Sequence, residues 1–496
     1  MTIMALVILL CGFLVKFAVF GRPFLGYFGS YQAMVAMMAE MMLKAPPQSF
    51  FIPRTYILLN GQPEIHLLYY PFSAWAAALF KTVFGGSMDF WGRFQAGLFM
   101  LGAGIFFFKA AKKVFGEKIA LIALLIFTFS PMALLDGTSL RNEASALFFL
   151  TASFWFLAQG ESFLLSFIAG LSFSCAIVAR LHFIFVMPAF CIFIVSNREA
   201  AFRRAVIFLT GVFLPLAAWI LWARHINALY QDNVMTSLFS QAGEGRVLSS
   251  SLFFQYAFYL RLLKILAIQL LTPAVFPFLI AGVFVFPGPH RWFLSAWAAG
   301  AAAAIILLPQ KVNDHPFYLI SLLPAAAIFS AAAIEIYAER LPVAIQKGGA
   351  ILLIVMSLVY TSRPAFSDDH SSMIPEIGKV VQSLTAEKDA IVAQHGTAPD
   401  LLYYSQRMGW PFDVEMAHHP LEDQLRFRKM KEEGYGNPQV WLEKLRGDGA
   451  KYLVISEPEK FLQEKDFFEY VQDHYQKIPV DSDKFYIFDL RQLHQS

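Results

Sequence analysis

The stretch at residues 3–20, IMALVILLCGFLVKFAVF, is apolar and long enough to cross a bilayer as an α-helix. It lacks the basic start and the A-x-A-like end of a signal peptide, so it predicts a first membrane span. An aromatic-rich and partly amphipathic segment follows it over residues 21–89. A channel or a simple helical bundle has little use for so long a loop after its first span. The pattern favours an enzyme that works on a lipid-linked substrate at the membrane surface.

The composition of the chain also indicates a membrane protein. Apolar residues make up 57% of the sequence, charged residues make up 15%, and the mean hydropathy is +0.53, which is outside the usual range of soluble globular chains. The 52 Phe and 18 Tyr residues suit surfaces that meet lipid and the bilayer interface. A net charge of +3 is too small to indicate a nucleic-acid partner. Cys11, Cys175 and Cys191 all fall in apolar stretches, so we expect core residues rather than disulfides.

The remaining apolar stretches predict ten further spans and therefore eleven in all. We place these ten spans at residues 90–108, 118–135, 143–159, 162–179, 181–196, 205–223, 264–286, 291–309, 316–337 and 348–361.

Basic residues in the short loops predict the orientation of these spans. With the N-terminus in the cytoplasm, four cytoplasmic loops carry Lys or Arg, as the positive-inside rule requires, whereas the fifth, at 160–161, is a bare turn. The four basic loops lie at residues 109–118, 197–204, 287–291 and 339–347. The long first loop and the C-terminal region then lie together outside the cytoplasmic (inner) membrane.

The C-terminal region from residue 363 changes character. Short β-type runs alternate there with helical patterns, which predicts a small α/β domain. The β-type runs lie at 390–394, 451–456 and 485–490, and the helical patterns lie at 399–407, 438–446 and 467–475. Pro364 is the expected end of the last membrane helix. We therefore divide the chain into a transmembrane domain at 1–362, including the outer loop 21–89, and a soluble periplasmic domain at 363–496.

Ionisable residues near the outer ends of spans are candidates for chemistry, because charge in or near lipid is expensive and tends to be functional. Four outer segments carry such residues. They hold Glu64 and His66 in the first loop, Asp136, Arg141 and Glu143 after the third span, Arg180 and His182 between spans five and six, and Lys311, His315 and Tyr318 after span nine.

Most of these candidates also have a purely structural explanation. Asp136 and Arg141 could be solvated loop residues, and Glu143 could be a first-turn acid favoured by the helix dipole. Glu64 and His66 could form an interfacial pair, and the rings at the start of span ten could be interfacial anchors. Arg180 is harder to explain in this way, because its turn is too short to be a free loop. An arginine there needs an anion, either a carboxylate or a lipid phosphate, and we favour the phosphate.

Several short motifs occur along the chain in a fixed order. HLLYYP lies at 66–71, an acidic loop follows span three, and DHPFY at 314–318 precedes LP at 323–324. YYSQRMGW at 403–410 and FDL at 488–490 follow in the C-terminal region. Together with the long first loop, these elements resemble the GT-C superfamily of polyprenyl-phosphate-dependent glycosyltransferases. The branch they resemble is related to protein O-mannosyltransferases and the lipid A aminoarabinose transferase.

This resemblance implies a multi-pass α-helical membrane protein with a C-terminal extracytoplasmic α/β domain. It also implies transfer of a sugar, with inversion, from a polyprenyl-phosphate donor to a lipid, polysaccharide or protein acceptor at the outer face. The leaving lipid phosphate needs cationic donors, for which we expect Arg180 first and then His315 and Lys311, with Tyr318 beside them. The attacking hydroxyl needs a carboxylate base, either Glu64 or Glu143.

One stretch departs from the family pattern. Family members usually carry an acid early in the first loop, but residues 26–34, GYFGSYQAM, contain neither Asp nor Glu. A non-catalytic binding protein for lipid-linked sugars, or a flippase-like carrier, is therefore the alternative, although we find no internal repeats in the sequence. Glu64, His66 and Glu143 could bind a divalent metal, but their spacing is not diagnostic, and we predict no cofactor.

Overall fold

The structure is a computed structural model, and it describes most of the chain. The described residues are 2–46, 50–67, 69–196, 200–231, 233–237, 250–286, 288, 290–340, 342–366, 373–396, 398–414, 437–480 and 482–493. Parts of three predicted cytoplasmic loops, at 197–199, 287, 289 and 341, and residues 47–49 and 68 of the predicted first loop lie outside these residues. The chain divides into a helical unit and a sheet unit. The helical unit comprises Met1–Gly21, Tyr69–Arg224 and Gly245–Ser367, and the sheet unit comprises Arg22–Leu68, His225–Glu244 and Asp368–Ser496.

Helices make up most of the described chain, and we number them in chain order. They are α1 (Ile3–Phe17), α2 (Gly29–Lys44), α3 (Phe72–Phe84), α4 (Met88–Phe115), α5 (Glu117–Thr128), α6 (Pro131–Asp136), α7 (Glu143–Ala158), α8 (Phe163–Ala179), α9 (Met187–Ser196), α10 (Ala201–Leu229), α11 (Tyr256–Lys264), α12 (Phe276–Val285), α13 (Arg291–Leu307), α14 (Pro309–Asp314), α15 (Leu323–Ala338), α16 (Val343–Phe366), α17 (Ile374–Leu384), α18 (Asp400–Ser405), α19 (Pro438–Gly447), α20 (Pro458–Gln463) and α21 (Lys465–His474).

Each predicted span coincides with one or two of these helices. Among the described residues, four segments are long and apolar enough to cross a membrane by themselves, and they are Met88–Phe115, Ala201–Leu229, Pro316–Ala338 and Val343–Ser362. Several shorter apolar helices accompany them. The expectation that α16 ends at Pro364 was wrong, since the helix continues to Phe366. A proline this close to a helix end removes one backbone hydrogen bond, which the last turn tolerates.

Small residues bring the helices of this unit into close contact. Gly170 of α8 and Gly211 of α10 face each other, and a Cβ on either would overlap backbone atoms of the other helix. Because lipid gives little hydrophobic drive for helix association, such close backbone packing is what holds membrane helices together.

Two helix breaks matter for the site. After α8, Arg180 is extended (φ −150°, ψ 104°), and a short 3-10 helix, Leu181–Val186, leads into α9. After α14, His315 is also extended (φ −130°, ψ 87°), and a second 3-10 helix, Pro316–Leu322, leads into α15. The second break has a sequence cause, because a residue that precedes proline avoids the helical conformation.

Among the described residues, the sheet unit is built on eight strands. They are β1 (Arg54–Leu59), β2 (Gln62–Leu67), β3 (Val234–Ser237), β4 (Ala390–Gln394), β5 (Gly409–Phe412), β6 (Ala450–Ile455), β7 (Tyr475–Lys477) and β8 (Tyr486–Leu493). Their order is β3-β2-β1-β5-β4-β6-β8-β7. The pairs β2–β3, β1–β5, β5–β4 and β4–β6 are parallel, and the pairs β1–β2, β6–β8 and β8–β7 are antiparallel.

The first loop contributes the hairpin β1–β2 to this sheet. Its turn residues, Asn60 and Gly61, both have positive φ (50° and 71°), as a tight Asn-Gly hairpin requires. β1 then pairs with β5 of the C-terminal region. The sheet unit therefore differs from the C-terminal domain that we predicted at 363–496, because residues 22–68 and 225–244 join it.

Aromatic packing forms the core on one face of this sheet. Between ring centroids, Phe412 of β5 lies 4.8 Å from Trp441 of α19 and 5.6 Å from Phe467 of α21. Val392 and Leu453, from the neighbouring strands β4 and β6, belong to the same buried cluster. The predicted β-type runs of the C-terminal region coincide with β4, β6 and β8.

Candidate functional site

Four of the predicted residues form a chain of buried ion pairs in the helical unit. Asp136 pairs with Arg141, Arg141 Nε lies 3.8 Å from Glu143 Oε2, and Glu143 pairs with Arg180. The four side chains are between 0% and 2% exposed. Buried charges are tolerated when they are paired, and here two carboxylates compensate two guanidinium groups. The chain of ion pairs therefore holds both arginines in fixed positions.

The loop between α6 and α7 positions the first three of these residues. Asp136 ends α6, Glu143 begins α7, and the hydroxyls of Thr138 and Ser139 donate hydrogen bonds back to Leu135 O (2.9 and 2.7 Å). The residues from 136 to 143 are all buried. The explanation of Asp136 and Arg141 as solvated loop residues is therefore wrong.

Aromatic rings cover both arginines. Arg180 Cζ lies 4.3 Å from the centre of the Tyr69 ring and 5.2 Å from that of Phe317, and Arg141 Cζ lies 4.3 Å from that of Phe317. The Phe317 ring thus contacts both guanidinium groups. This is a cation–π arrangement, in which the ring face attracts the positive charge. Tyr318 is close by, because its hydroxyl lies 3.4 Å from the Tyr69 hydroxyl.

Backbone contacts hold the segment that carries Tyr69. The Tyr70 N–H donates to Val178 O (3.0 Å), and the Asn142 side-chain amide donates to Tyr70 O (3.1 Å). The Ser73 hydroxyl donates to Arg141 O (2.7 Å). The HLLYYP motif thus ends in a segment that is anchored both to α8 and to the loop before α7.

Two histidines stand beside the tyrosine pair. The His182 ring lies 4.7 Å from the Tyr318 ring between centroids, and the His315 ring lies 5.3 Å from that of Phe317. His315 lies in the connection just before the span that begins at Pro316. Burial, together with the charge of Lys311, lowers the pKa of His315 to about 4. His315 is therefore neutral near pH 7 and does not supply the positive charge that we expected of it.

Glu64 and His66 belong to the sheet unit. Glu64 is 2% exposed on β2 and accepts a hydrogen bond from the Thr55 hydroxyl of β1 at 3.2 Å. His66 is 5% exposed, and its backbone N–H donates to Pro53 O (2.9 Å). Within the described ranges, no group of three or more His, Cys, Asp and Glu side chains is arranged to hold a metal ion.

Sequence reasoning missed the roles of Tyr69 and Phe317. Both residues lie inside motifs that we had noted, HLLYYP and DHPFY, but nothing in the sequence showed that their rings meet the same arginine. Tyr69, Arg180 and Phe317 are far apart in the sequence. A local pattern therefore cannot show that their side chains are in contact.

Comparisons with known proteins agree on the fold. Residues 62–222 match the family model described as dolichyl-phosphate-mannose-protein mannosyltransferase, which spans Tyr69 and the residues from Asp136 to Arg180. The comparison with curated proteins finds no match.

Solved structures give matches over nearly the whole chain. ArnT from Cupriavidus metallidurans bound to undecaprenyl phosphate is 13% identical with a TM-score of 0.67, covering 98% of this chain and 97% of that one. The Archaeoglobus fulgidus oligosaccharyltransferase tethered with an acceptor peptide is 12% identical with a TM-score of 0.59, covering 98% and 74%. The oligosaccharyltransferase AglB from the same organism, in complex with an inhibitory peptide and a dolichol-phosphate, is 12% identical with a TM-score of 0.55, covering 97% and 74%.

The fold and the apolar helices are those of the glycosyltransferase structures that the chain resembles. The chain shares the fold of ArnT and of the oligosaccharyltransferase, and about a third of it matches the mannosyltransferase family model. This confirms the resemblance that the sequence motifs indicated.

Proposed function

We propose that the chain is an inverting glycosyltransferase that moves a sugar from a polyprenyl-phosphate donor to a lipid, polysaccharide or protein acceptor. We place the reaction at the outer face of the cytoplasmic membrane. The observation that carries the proposal is the pair of buried arginines, Arg141 and Arg180, which two carboxylates hold in place. Two of the similar structures contain a polyprenyl phosphate, undecaprenyl phosphate in ArnT and dolichol-phosphate in AglB, and this supports a donor of the same class.

Arg180 is our assignment for the group that receives the leaving phosphate. Negative charge grows on the lipid phosphate as its bond to the sugar breaks, and a cation that is already in place stabilises this charge without reorganising. Glu143 holds the Arg180 guanidinium from one side, and the Tyr69 ring covers its face. A planar guanidinium in a fixed position suits phosphate oxygens better than a flexible ammonium group.

Lys311, His315 and Tyr318 are our assignments for supporting contacts to the donor. Lys311 lies in the last turn of α14. It would add an ammonium group to the guanidinium groups of the proposed donor site. Since His315 is neutral near pH 7, it can donate one ring N–H but no net charge. The Tyr318 hydroxyl, beside that of Tyr69, adds a further hydrogen-bond donor.

In the transfer step, the acceptor hydroxyl oxygen bonds to the anomeric carbon while the bond from that carbon to the phosphate oxygen breaks on the opposite face. The hydroxyl proton passes to a carboxylate base, and the lipid phosphate leaves as an anion. The Glu143 carboxylate already faces both guanidinium groups, pairing with Arg180 through Oε1 and lying 3.8 Å from Arg141 Nε through Oε2. We therefore assign Glu143 a positioning role and keep Glu64 as the base.

A comparison of intact cells with and without the protein tests this function. We expect one envelope lipid, polysaccharide or protein to lose a sugar when the protein is absent and to regain it when the gene is restored. The alternative, a non-catalytic binding protein or flippase-like carrier, is favoured by the stretch without acids at residues 26–34. It predicts that the purified protein binds a polyprenyl-phosphate sugar but never releases the sugar to an acceptor.

A further inference from the structure

An apolar groove of about 440 Å³ lies between α5, α12, α15 and α16 of the helical unit. None of the candidate site residues is among those that line it. Its walls include Ile122 and Ile126 of α5, Phe278 of α12, Ile334 of α15, and Gly349 and Leu353 of α16. The groove is thus separate from the buried arginines of the proposed donor site.

On α15 and α16 the groove reaches the helix ends that are cytoplasmic in the orientation that the basic loops predict, whereas on α12 it is lined by the N-terminal end, near the middle of the predicted span 264–286. On α15 it reaches Tyr337 and Ala338 at the end of the helix, and on α16 it begins at Ile345, close to the helix start. α15 ends at Ala338 and α16 begins at Val343, so the connection between them lies within the predicted cytoplasmic loop 339–347, and residues 343–347 of that prediction are helical. At its α15–α16 end the groove therefore lies in the part of the protein that the inner leaflet of the membrane surrounds in this orientation.

The groove is open to the surface along α16. Only 11% of the most apolar part of this helix is buried. Ile345 is 55% exposed, whereas Leu353, one wall of the groove, is 6% exposed. In a membrane protein, an apolar surface of this kind faces lipid hydrocarbon, so an acyl chain is the material available to fill it.

Basic side chains surround the cytoplasmic end of the groove. Arg340 is exposed on the loop after α15, and Lys347 is exposed on α16. Lys118, at the start of α5, forms an ion pair with Glu339, with 3.5 Å between Nζ and Oε1. Near the cytoplasmic leaflet, lysine and arginine attract anionic headgroups. The apolar groove and the basic rim are therefore complementary to the two ends of one anionic phospholipid.

We propose that this groove binds one acyl chain of an anionic glycerophospholipid of the inner leaflet, with the lipid phosphate at Arg340 and Lys347. The bound lipid fills the space between α16 and the helices behind it. It thereby attaches a helix that has few protein contacts of its own.

Two adjacent glycines allow a matched test. A side chain at Gly349 would enter the groove, whereas one at Gly348, a neighbour on the same helix that does not line the groove, would not. A Cβ at either position meets no atom within 4 Å, so neither substitution creates a clash. Gly349→Leu and Gly348→Leu also gain the same helix propensity.

Native mass spectrometry of the full chain in detergent, with added phosphatidylglycerol or phosphatidylcholine, measures the binding. We expect the unmodified protein and Gly348→Leu to retain one phosphatidylglycerol through mild delipidation, and Gly349→Leu to bind it at least tenfold more weakly. The double variant Arg340→Gln/Lys347→Gln should still bind lipid but lose its preference for phosphatidylglycerol over phosphatidylcholine.

Three results would overturn the proposal. They are equal retention by the two leucine variants, no preference of the unmodified protein between the two phospholipids, and displacement of phosphatidylglycerol by an equal amount of undecaprenyl phosphate. If Gly349→Leu fails to fold, Ala350→Leu fills the groove from the next lining position and must give the same tenfold loss.

Discussion

The Arg180 guanidinium and the Glu143 carboxylate form an ion pair whose two side chains are 2% and 0% exposed. Arg180 comes from the helix break after α8, and Glu143 comes from the first turn of α7. Two separate structural elements thus fix one cation in the interior of the helical unit. This relationship is the basis for proposing Arg180 as the centre of the donor site and Glu143 as the residue that positions it.

Replacement of Arg180 tests whether its guanidinium binds the donor phosphate. Arg180→Lys keeps the charge but loses the planar fork, so we expect the transfer rate to fall substantially. Arg180→Ala should lose more activity and also destabilise the protein by about 3–5 kcal/mol, because Glu143 loses its partner. Transfer rates and thermal unfolding of the purified variants measure both effects. Arg203→Ala, which removes an exposed arginine of α10, is the matched control. Normal transfer by a folded Arg180→Lys variant would show that Arg180 is only structural.

Amide substitutions at Glu64 and Glu143 separate the base from the positioning residue. Loss of a positioned base costs on the order of 10²–10⁴ in rate, so Glu64→Gln should lower kcat by that factor and remove the acidic limb of the pH profile. Glu143→Gln should mainly raise KM for the donor and leave that limb in place. Steady-state kinetics from pH 5 to pH 8 (a range of about three units) distinguish the two patterns. The opposite pattern, with the limb lost in Glu143→Gln, would return the role of base to Glu143.

Reporter fusions test the orientation of the spans. We expect a reporter fused after Ser496 to be active only outside the cytoplasm, and fusions near Lys113 and Arg203 to be active only inside. A fusion within the first loop should behave like the one after Ser496, because β1 and β5 belong to one sheet. A C-terminal reporter that is active inside the cell would refute both the orientation and the placement of the site.

Asp389 makes the sheet unit sensitive to acid. Burial alone would raise its pKa, but hydrogen bonds from Lys451 (2.6 Å) and from the Ala386 N–H (2.8 Å) outweigh burial and hold the pKa below the ordinary value of 3.8. The folded state therefore binds this proton less tightly than the unfolded state does. The resulting stability is present above pH 3.8 and is lost as the pH falls through the lowered pKa.

Asp389→Asn should therefore be less stable than the unmodified protein at pH 7 and lose less stability between pH 5 and pH 3. The difference should stay near or below about 1 kcal/mol, since Lys451 is partly exposed. Thermal unfolding of the full chain against pH measures this dependence, and Asp483→Asn, at an exposed position, is the control. Identical pH curves for Asp389→Asn and the unmodified protein would contradict the assignment.

The membrane helices could be predicted from the sequence because long apolar runs are a local signal. The strands β4, β6 and β8 could be predicted for the same reason, from alternating and β-branched runs. The strands of the first loop could not, since β1 pairs with β5, which lies far along the chain. The motifs likewise indicated a resemblance with which the fold of the solved structures agrees.

The chemistry of the candidate site was harder to predict than its location. Asp136, Arg141, Glu143 and Arg180 were all candidates, but a sequence does not show which carboxylate faces which guanidinium. The sequence therefore leaves Glu143 open as a base, and only the structure shows its carboxylate facing two arginines. His315 was expected to be cationic, and only its burial beside Lys311 revealed a neutral ring.

Turnover of a polyprenyl-phosphate sugar by the purified protein tests the central claim most directly. The full chain is placed in liposomes with a labelled donor and an extract of envelope acceptors, and free polyprenyl phosphate and labelled acceptor are measured together. We predict that both products form in equal amounts, with inverted configuration at the sugar, and that Arg180→Ala abolishes both. Donor that binds to the protein but is never consumed, with every acceptor fraction of the source envelope present, would contradict the account and identify the chain as a binding protein.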